Sequence, residues 1–200
     1  MSLKDFRRVR ALFLAGHPAL DFLNTRMRVA GSLVDLLRSD EDVLLWFKQA
    51  GFPAPAIDNE PKPLNLLRSA RTLRESTRCL IESRKGGRRG NPSLLNKFLA
   101  AGCGYPQLVW SKPNKLRIET VRRQESAESI FAPVAEAAVD LLTTGDFDLV
   151  KRCEDQTCVR WFFDQTKSHR RRWCSTELCG NRHKVAAYRA RRRDQSISNQ

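Results

Sequence analysis

Apolar positions along the chain fall at helical spacing in several stretches and alternate in others. Leu66, Ala70, Leu73, Thr77 and Leu80 recur at i+3/i+4 intervals, which predicts a long core-facing helix from about Lys62 to Arg84. Val43, Leu44, Trp46, Phe47 and Ala50 give a second helical face, with Ser39 as N-cap, Asp42 in a capping-box position and Gly51 as the stop. Ile130, Val134, Ala137, Ala138, Leu141 and Leu142 mark a third face over Ser126–Leu142, and Pro133 inside it predicts either the true start or a kink. Pro92–Ala101 reads as a short helix. Gln107–Trp110 and Lys115–Thr120, joined by Ser111-Lys112-Pro113-Asn114, read as a β-hairpin. In Ala11–Thr25, Gly16-His17-Pro18 interrupts an apolar run, predicting an extended segment, a turn and a short helix. The Pro-rich residues 52–61 and the basic run Gly86–Gly90 read as connections, the latter a solvated loop.

After Thr143-Thr144-Gly145-Asp146 the pattern changes. Leu149–Arg152 and Val159–Phe163 are short β-prone runs, and a helix follows through Val185 and Tyr188. The predicted fold is therefore α+β. A mainly helical domain with a small β-hairpin spans residues 1–145, and a small β-ribbon/helix module spans 146–200. Four cysteines punctuate that module: Cys153, Cys158, Cys174 and Cys179, spaced C-x4-C-x15-C-x4-C. Two close pairs separated by a segment long enough to turn back are what one tetrahedral zinc ion needs, and four thiolates leave no open position for catalysis. About fifty residues bury too little apolar surface to fold unaided, and a structural zinc supplies on the order of 10 kcal/mol. Knuckle, ribbon and helix come in treble-clef order. Trp161, Phe162, Phe163, Trp173 and Tyr188 are the expected minicore. Disulfides, or a ligand role for His169 or His183, are the less economical alternatives. Cys79 and Cys103 stand apart and read as buried thiols.

Charge sharpens the picture. The chain of 200 residues carries a net +14, and residues 151–200 hold 13 Lys/Arg against 5 Asp/Glu. No stretch approaches the ~20 apolar residues of a membrane span. The basic Met1–Arg10 lacks the apolar run of a signal peptide, so the expected location is the cytoplasm. There, paired cysteines read as metal ligands more readily than as disulfides. No Asp or Glu interrupts Leu178–Arg193. On a helical wheel Arg182, Arg189 and Arg193 share one stripe, and Asn181, Val185, Tyr188 and Arg192 share the next. One side is expected to pack on the zinc module while the other presents guanidinium groups. Arg170-Arg171-Arg172 forms a second basic cluster. Arginine forks suit phosphates and guanine edges, so Arg170, Arg171, Arg172, Arg182, Lys184, Arg189, Arg192 and Arg193 are the candidate nucleic-acid contacts.

Cys174-Ser175…Cys179-Gly180-Asn181-Arg182, with Arg171-Arg172-Trp173 before it and Lys184-Val185…Tyr188-Arg189 after it, resembles the CGNR zinc finger. Ala19-Leu20-Asp21-Phe22-Leu23-Asn24-Thr25 resembles the opening motif of the ABATE domain that commonly precedes that finger. The resemblance implies a bacterial transcription regulator responding to stress. It carries the zinc-ligand role onto Cys153, Cys158, Cys174 and Cys179. Gly180 and Asn181 match its motif, and their expected part is support around the metal: close packing by Gly180 and a hydrogen bond to a sulfur or backbone group from Asn181.

Taken together, the sequence predicts a DNA-binding regulator with one structural Zn2+. Its N-terminal domain would sense a small molecule or form a homodimer matching a two-fold operator. RNA binding is the nearest alternative, and a protein-docking or thiol-redox module stands behind it. An enzyme is not expected: no nucleophile–base arrangement, phosphate loop or open metal site is visible. His17, Asp21 and Asn24 lie close enough together to line an N-terminal pocket, although turn and cap hydrogen bonding accounts for the same residues.

Overall fold

The computed structural model describes residues 13–29, 31–53, 65–122, 126–143 and 146–198, with the side chains of the last helix described up to Arg192 except Ala190. The expected helix start at Lys62, most of the Pro-rich connection, the Thr144-Gly145 stop and the side chain of Arg193 lie outside the described residues. The chain forms two compact units. One is continuous, residues 37–143. The other joins residues 13–36 to residues 146–198, so the chain passes between units near residue 36 as well as near residue 145.

The continuous unit is helical. Helix α2 (Asp40–Ala50) starts at Ser39, whose side chain accepts from the Asp42 N–H, and ends at Gly51 with φ 73°. The capping box is only half closed: Asp42 Oδ2 accepts from the N–H of Arg38, not of Ser39. Helix α3 (Leu66–Lys85) buries Leu66, Ala70, Leu73, Arg74, Thr77 and Ile81. Over five turns the 3.6-residue period moves the stripe from the expected Leu80 to Ile81. Asp40 supplies a cap from outside, accepting the Leu67 N–H at 2.8 Å. Helix α4 (Ser93–Ala101) follows, and then the predicted Ser126–Leu142 helix divides into α5 (Ala127–Ile130) and α6 (Ala132–Thr143). The break at Phe131 precedes Pro133, which therefore sits in the first turn of α6, where its missing N–H costs nothing. Phe131 fills the centre, its ring edge-on to Phe47 at 5.0 Å and to Phe98 at 6.4 Å. Gly102 packs directly on Ala132, with no room for a side chain. Cys79 and Cys103 are exposed, not buried. Cys79 falls on the solvent side of α3, between the buried Thr77 and Ile81, and Cys103 lies just past α4.

Strands β3 (Gly104–Trp110) and β4 (Leu116–Arg122) form the predicted antiparallel hairpin, longer than expected, in the register Leu108↔Ile118 and Trp110↔Leu116. Lys112 and Asn114 turn the chain at φ 61° and 70°.

The discontinuous unit has a short helix α1 (Pro18–Leu23), a hairpin of β1 (Arg26–Val29) and β2 (Ser32–Asp35), a ribbon of β5 (Val150–Arg152) and β6 (Trp161–Phe163), and helix α7 (Asn181–Ser198). The β1–β2 hairpin was not foreseen; its strands are four residues each, and Gly31 at φ 85° turns it. Asn24 makes the decisive link. Its Nδ2 donates to Trp161 O at 2.8 Å and its Oδ1 accepts from Trp161 N at 2.9 Å, so one buried side chain imitates a strand partner for β6. Ala15 O accepts from Phe163 N at 2.7 Å on the same ribbon. Gly16 is needed there: at φ 74° a Cβ would be strained, and it would lie 3.1 Å from Phe163 O. Ala19, Leu20, Phe22 and Leu23 of α1 are buried. The N-terminal motif therefore builds the core of the cysteine-bearing unit.

Candidate metal centre and basic helix

Cys153 follows β5 directly, and its N–H donates to Arg160 O at 3.0 Å, which holds the knuckle closed across the ribbon. Cys158 ends the knuckle. Asp155 shapes it, accepting at Oδ1 from Thr157 N at 2.8 Å and Thr157 Oγ1 at 2.6 Å. Cys174 arrives from the loop after β6, and its N–H points at Cys153 Sγ at 3.4 Å. Cys179 lies in a π-helical turn, Thr176–Gly180, that runs into α7. Such single π-turns recur at functional sites, and here the turn buries Cys179 and Gly180.

All four cysteines are buried and their sulfurs lie within 4.8 Å of one another. The Cys158–Cys174 and Cys174–Cys179 sulfurs are 3.8 and 3.5 Å apart. A tetrahedron with Zn–S bonds of ~2.3 Å has edges of ~3.8 Å, so the donor set fits zinc in number, type and spacing. The electrostatics agree. Hydrogen bonds from Cys158 and Cys174 hold the Cys153 thiol far below its ordinary value. Donation to Cys153 and Cys158, together with burial, pushes Cys174 far up, and burial followed by the Cys158 charge pushes Cys179 up to about 12. Four buried sulfurs cannot all ionise by themselves, and a dication is what lets them do so. His169 and His183 stand outside the cluster: His169 Nδ1 is 3.3 Å from Asp164 O, and the His183 ring stacks on Trp173 at 4.7 Å.

The loop delivering Cys174 is organised by Asp164, which is fully buried. Burial alone would raise its carboxyl pKa. Hydrogen bonds from Lys151 Nζ, from Thr166 and from the Arg171 N–H outweigh that and hold it well below the usual carboxylate range. Gly180 is buried with its Cα toward Trp173, where a Cβ would stand 3.2 Å from the ring. The Asn181 side chain is exposed, and its backbone N–H donates to the Thr176 and Leu178 carbonyls.

The arginines divide into two groups. Arg171 is woven into the metal unit: its guanidinium donates to the carbonyls of Trp173, Cys174 and Leu14 and covers the Phe162 ring at 4.4 Å. Arg182 turns back to the knuckle, with Nη1 at 3.2 Å from Asp155 Oδ2 and 2.9 Å from Thr157 Oγ1. Arg172 pairs with Glu154 at 2.6 Å and lies over the Trp173 ring. Arg170, Lys184, Arg189 and Arg192 are exposed, and so is Arg191, which the wheel argument passed over although it sits in the same Arg-Arg-Arg run. Tyr188, expected in the minicore, is 54% exposed, and Val185 on the same stripe is 49% exposed. Arg182, His183 and Ala186 line a cavity with the Glu154–Thr157 knuckle, so α7 begins beside the metal unit while Val185 and Tyr188 face solvent.

His17, Asp21 and Asn24 serve the N-terminal segment. His17 caps α1, Nδ1 accepting from Ala19 N at 3.3 Å, and Asp21 Oδ1 accepts from Ala15 N at 3.0 Å. Burial pushes the Asp21 carboxyl up to about 6 despite its backbone hydrogen bonds. Because that pKa is raised, stability falls as pH rises from ~4, where unfolded chains ionise, to about 6, and is level above. Denaturation of zinc-saturated wild type and Asp21→Asn across this range checks it. Asn removes the charge, so the wild type should lose stability relative to the variant as pH rises. Parallel curves would refute the assignment.

A family model described as "Putative stress-induced transcription regulator" matches residues 16–145, and the CGNR zinc finger model matches residues 150–192. The chain belongs to the ABATE family. None of the curated proteins matches it. The ABATE match begins at residue 16, so it takes in residues 16–36, which the fold assigns to the same compact unit as the finger. Both families are of regulator and zinc-finger type, not enzymes. No described helix of this ABATE chain is long and apolar enough to cross a membrane.

Proposed function

We propose that the protein is a DNA-binding transcription regulator in which the zinc unit holds α7 out as the nucleic-acid reader. One observation carries this reading. Every described side chain of helix α7 except the half-buried Ala187 is exposed, and the helix bears Lys184, Arg189, Arg191 and Arg192 with no acidic residue before Asp194. A projecting helix of ~10–12 Å diameter matches the major groove, and guanidinium forks suit phosphates and guanine edges. Arg170, at the tip of the loop held by Asp164, adds a backbone contact. Arg171, Arg172 and Arg182 position this apparatus through their partners within the chain.

Anisotropy with duplex DNA across a salt series tests the reading. With one phosphate for each of Arg170, Lys184, Arg189, Arg191 and Arg192, the log–log slope is about −4 to −5. Arg189→Ala/Arg192→Ala should make it shallower by ~2 and weaken binding similarly on all sequences. Salt-insensitive binding, or preference for a folded RNA competitor, would count against it.

A further inference from the structure

The β3–β4 hairpin carries an exposed apolar face over which no element among the described residues packs. Along one side run Pro106, Leu108 and Trp110 of β3 and, opposite, Leu116 and Ile118 of β4. Leu108 is 63% exposed, Trp110 69%, Leu116 45% and Ile118 73%. On the other side Val109 and Val121 are half-buried. A two-stranded ribbon is marginal alone and gains stability when one apolar face is covered. Contiguous apolar patches of this kind on soluble chains mark interaction sites.

We infer that this face packs against the same face of a second copy of the chain, forming a two-fold dimer through the hairpins. Three features single out that occupant. The patch is continuous across both strands, with Leu108 beside Ile118 and Trp110 beside Leu116, so a two-fold copy can lay the same patch against it, as an isologous contact requires. The area fits. These side chains offer roughly 450–500 Å² on one copy, so two copies bury about 1,000 Å², the floor for a specific interface and below the ~1,600 Å² of a standard one. That predicts a dimer of micromolar strength. Charge also permits it. With the ribbons antiparallel about the axis, the turn residues Lys112 and Lys115 of one copy lie at the open end of the other, where Glu136 pairs with Arg122 at 2.7 Å, not against each other.

The inference does not depend on DNA binding, and its test contains no nucleic acid. Sedimentation of nuclease-treated, zinc-loaded full chain should show the 22.9 kDa mass doubling over the micromolar range. Two copies at +14 repel, so added salt should tighten the dimer, opposite to its effect on DNA. Leu108→Thr/Ile118→Thr puts strand-favouring β-branched residues at both positions and should shift the midpoint at least tenfold. Hydroxyl-radical footprinting of the wild type needs no variant, and should find Trp110 protected at high concentration and labelled when dilute. A monomer at every concentration and salt, a dimer indifferent to the double variant when that variant is folded, or Trp110 labelled equally at both concentrations would overturn the proposal. The face would then belong to a different macromolecule.

Discussion

Removing zinc with a strong chelator at neutral pH will unfold residues 13–36 together with the cysteine module, while Asp40–Thr143 keeps its structure. Structural zinc contributes about 10–16 kcal/mol, comparable with the whole stability of a small domain. The four sulfurs within 4.8 Å of one another lose their reason to converge once the cation goes. Cys153 and Cys158 bracket the knuckle that closes β5 onto β6, and β6 is what Asn24 grips at Trp161 through bonds of 2.8 and 2.9 Å. With the ribbon lost, α1 has nothing on which to bury Leu20, Phe22 and Leu23. Peptide-level hydrogen exchange with and without chelator reads this directly. Protection should vanish in α1, β1, β2, β5 and β6 and persist in α2, α3, α4 and α6. Undiminished protection of residues 18–35 after zinc removal would refute the account.

Asp164→Ala should destabilise the zinc unit by about 3–5 kcal/mol, because it leaves charged and backbone donors without their buried acceptor. The carboxylate takes Lys151 Nζ at 2.7 Å, Arg171 N at 2.8 Å, Thr166 N at 3.1 Å and Thr166 Oγ1 at 2.6 Å. These bonds set the course of the loop that ends at Cys174, so zinc affinity should fall by ~10–100-fold as well. Competitive zinc titration and denaturation measure the two effects, and a variant with unchanged zinc affinity would separate the loop from the metal. The depressed pKa fixes the sign with pH: the stabilisation is complete above ~4, where an unfolded Asp is ionised, and is lost as pH falls through the lower folded value.

Local rules carried much of the architecture. Ser39 and Gly51 bound α2 as their cap chemistry requires, the helical stripes lie in the core, and the cysteine spacing alone assembled the metal site. What stayed hidden depends on distant partners. Asn24 and Trp161 are 137 residues apart, and nothing near either announces the other. The charge of Arg171 and Arg182 is plain in the sequence, but the Trp173 and Cys174 carbonyls and the Asp155 carboxylate that claim them are visible only in three dimensions. Strands β1 and β2 are too short for alternation to stand out. An aromatic residue such as Tyr188 is expected in a minicore because aromatic residues usually pack, whereas here it faces solvent.

The discontinuous unit also sets an order on biosynthesis. Chains emerge at ~5–20 residues per second, so Leu20, Phe22 and Asn24 wait roughly 7–27 s before Trp161 exists to receive them. Residues 37–143 can fold during that interval, since all their partners are already present. This segment, made before residues 37–143, is thus later than they are to find its place, its apolar residues exposed until the final cysteine and its metal arrive. A ribosome stalled after residue 143 would display a finished helical unit behind an adhesive N-terminus. A fragment beginning at residue 146 would hold every zinc ligand and the β5 partner of β6, and lack the Asn24 and Ala15 groups that also bond β6.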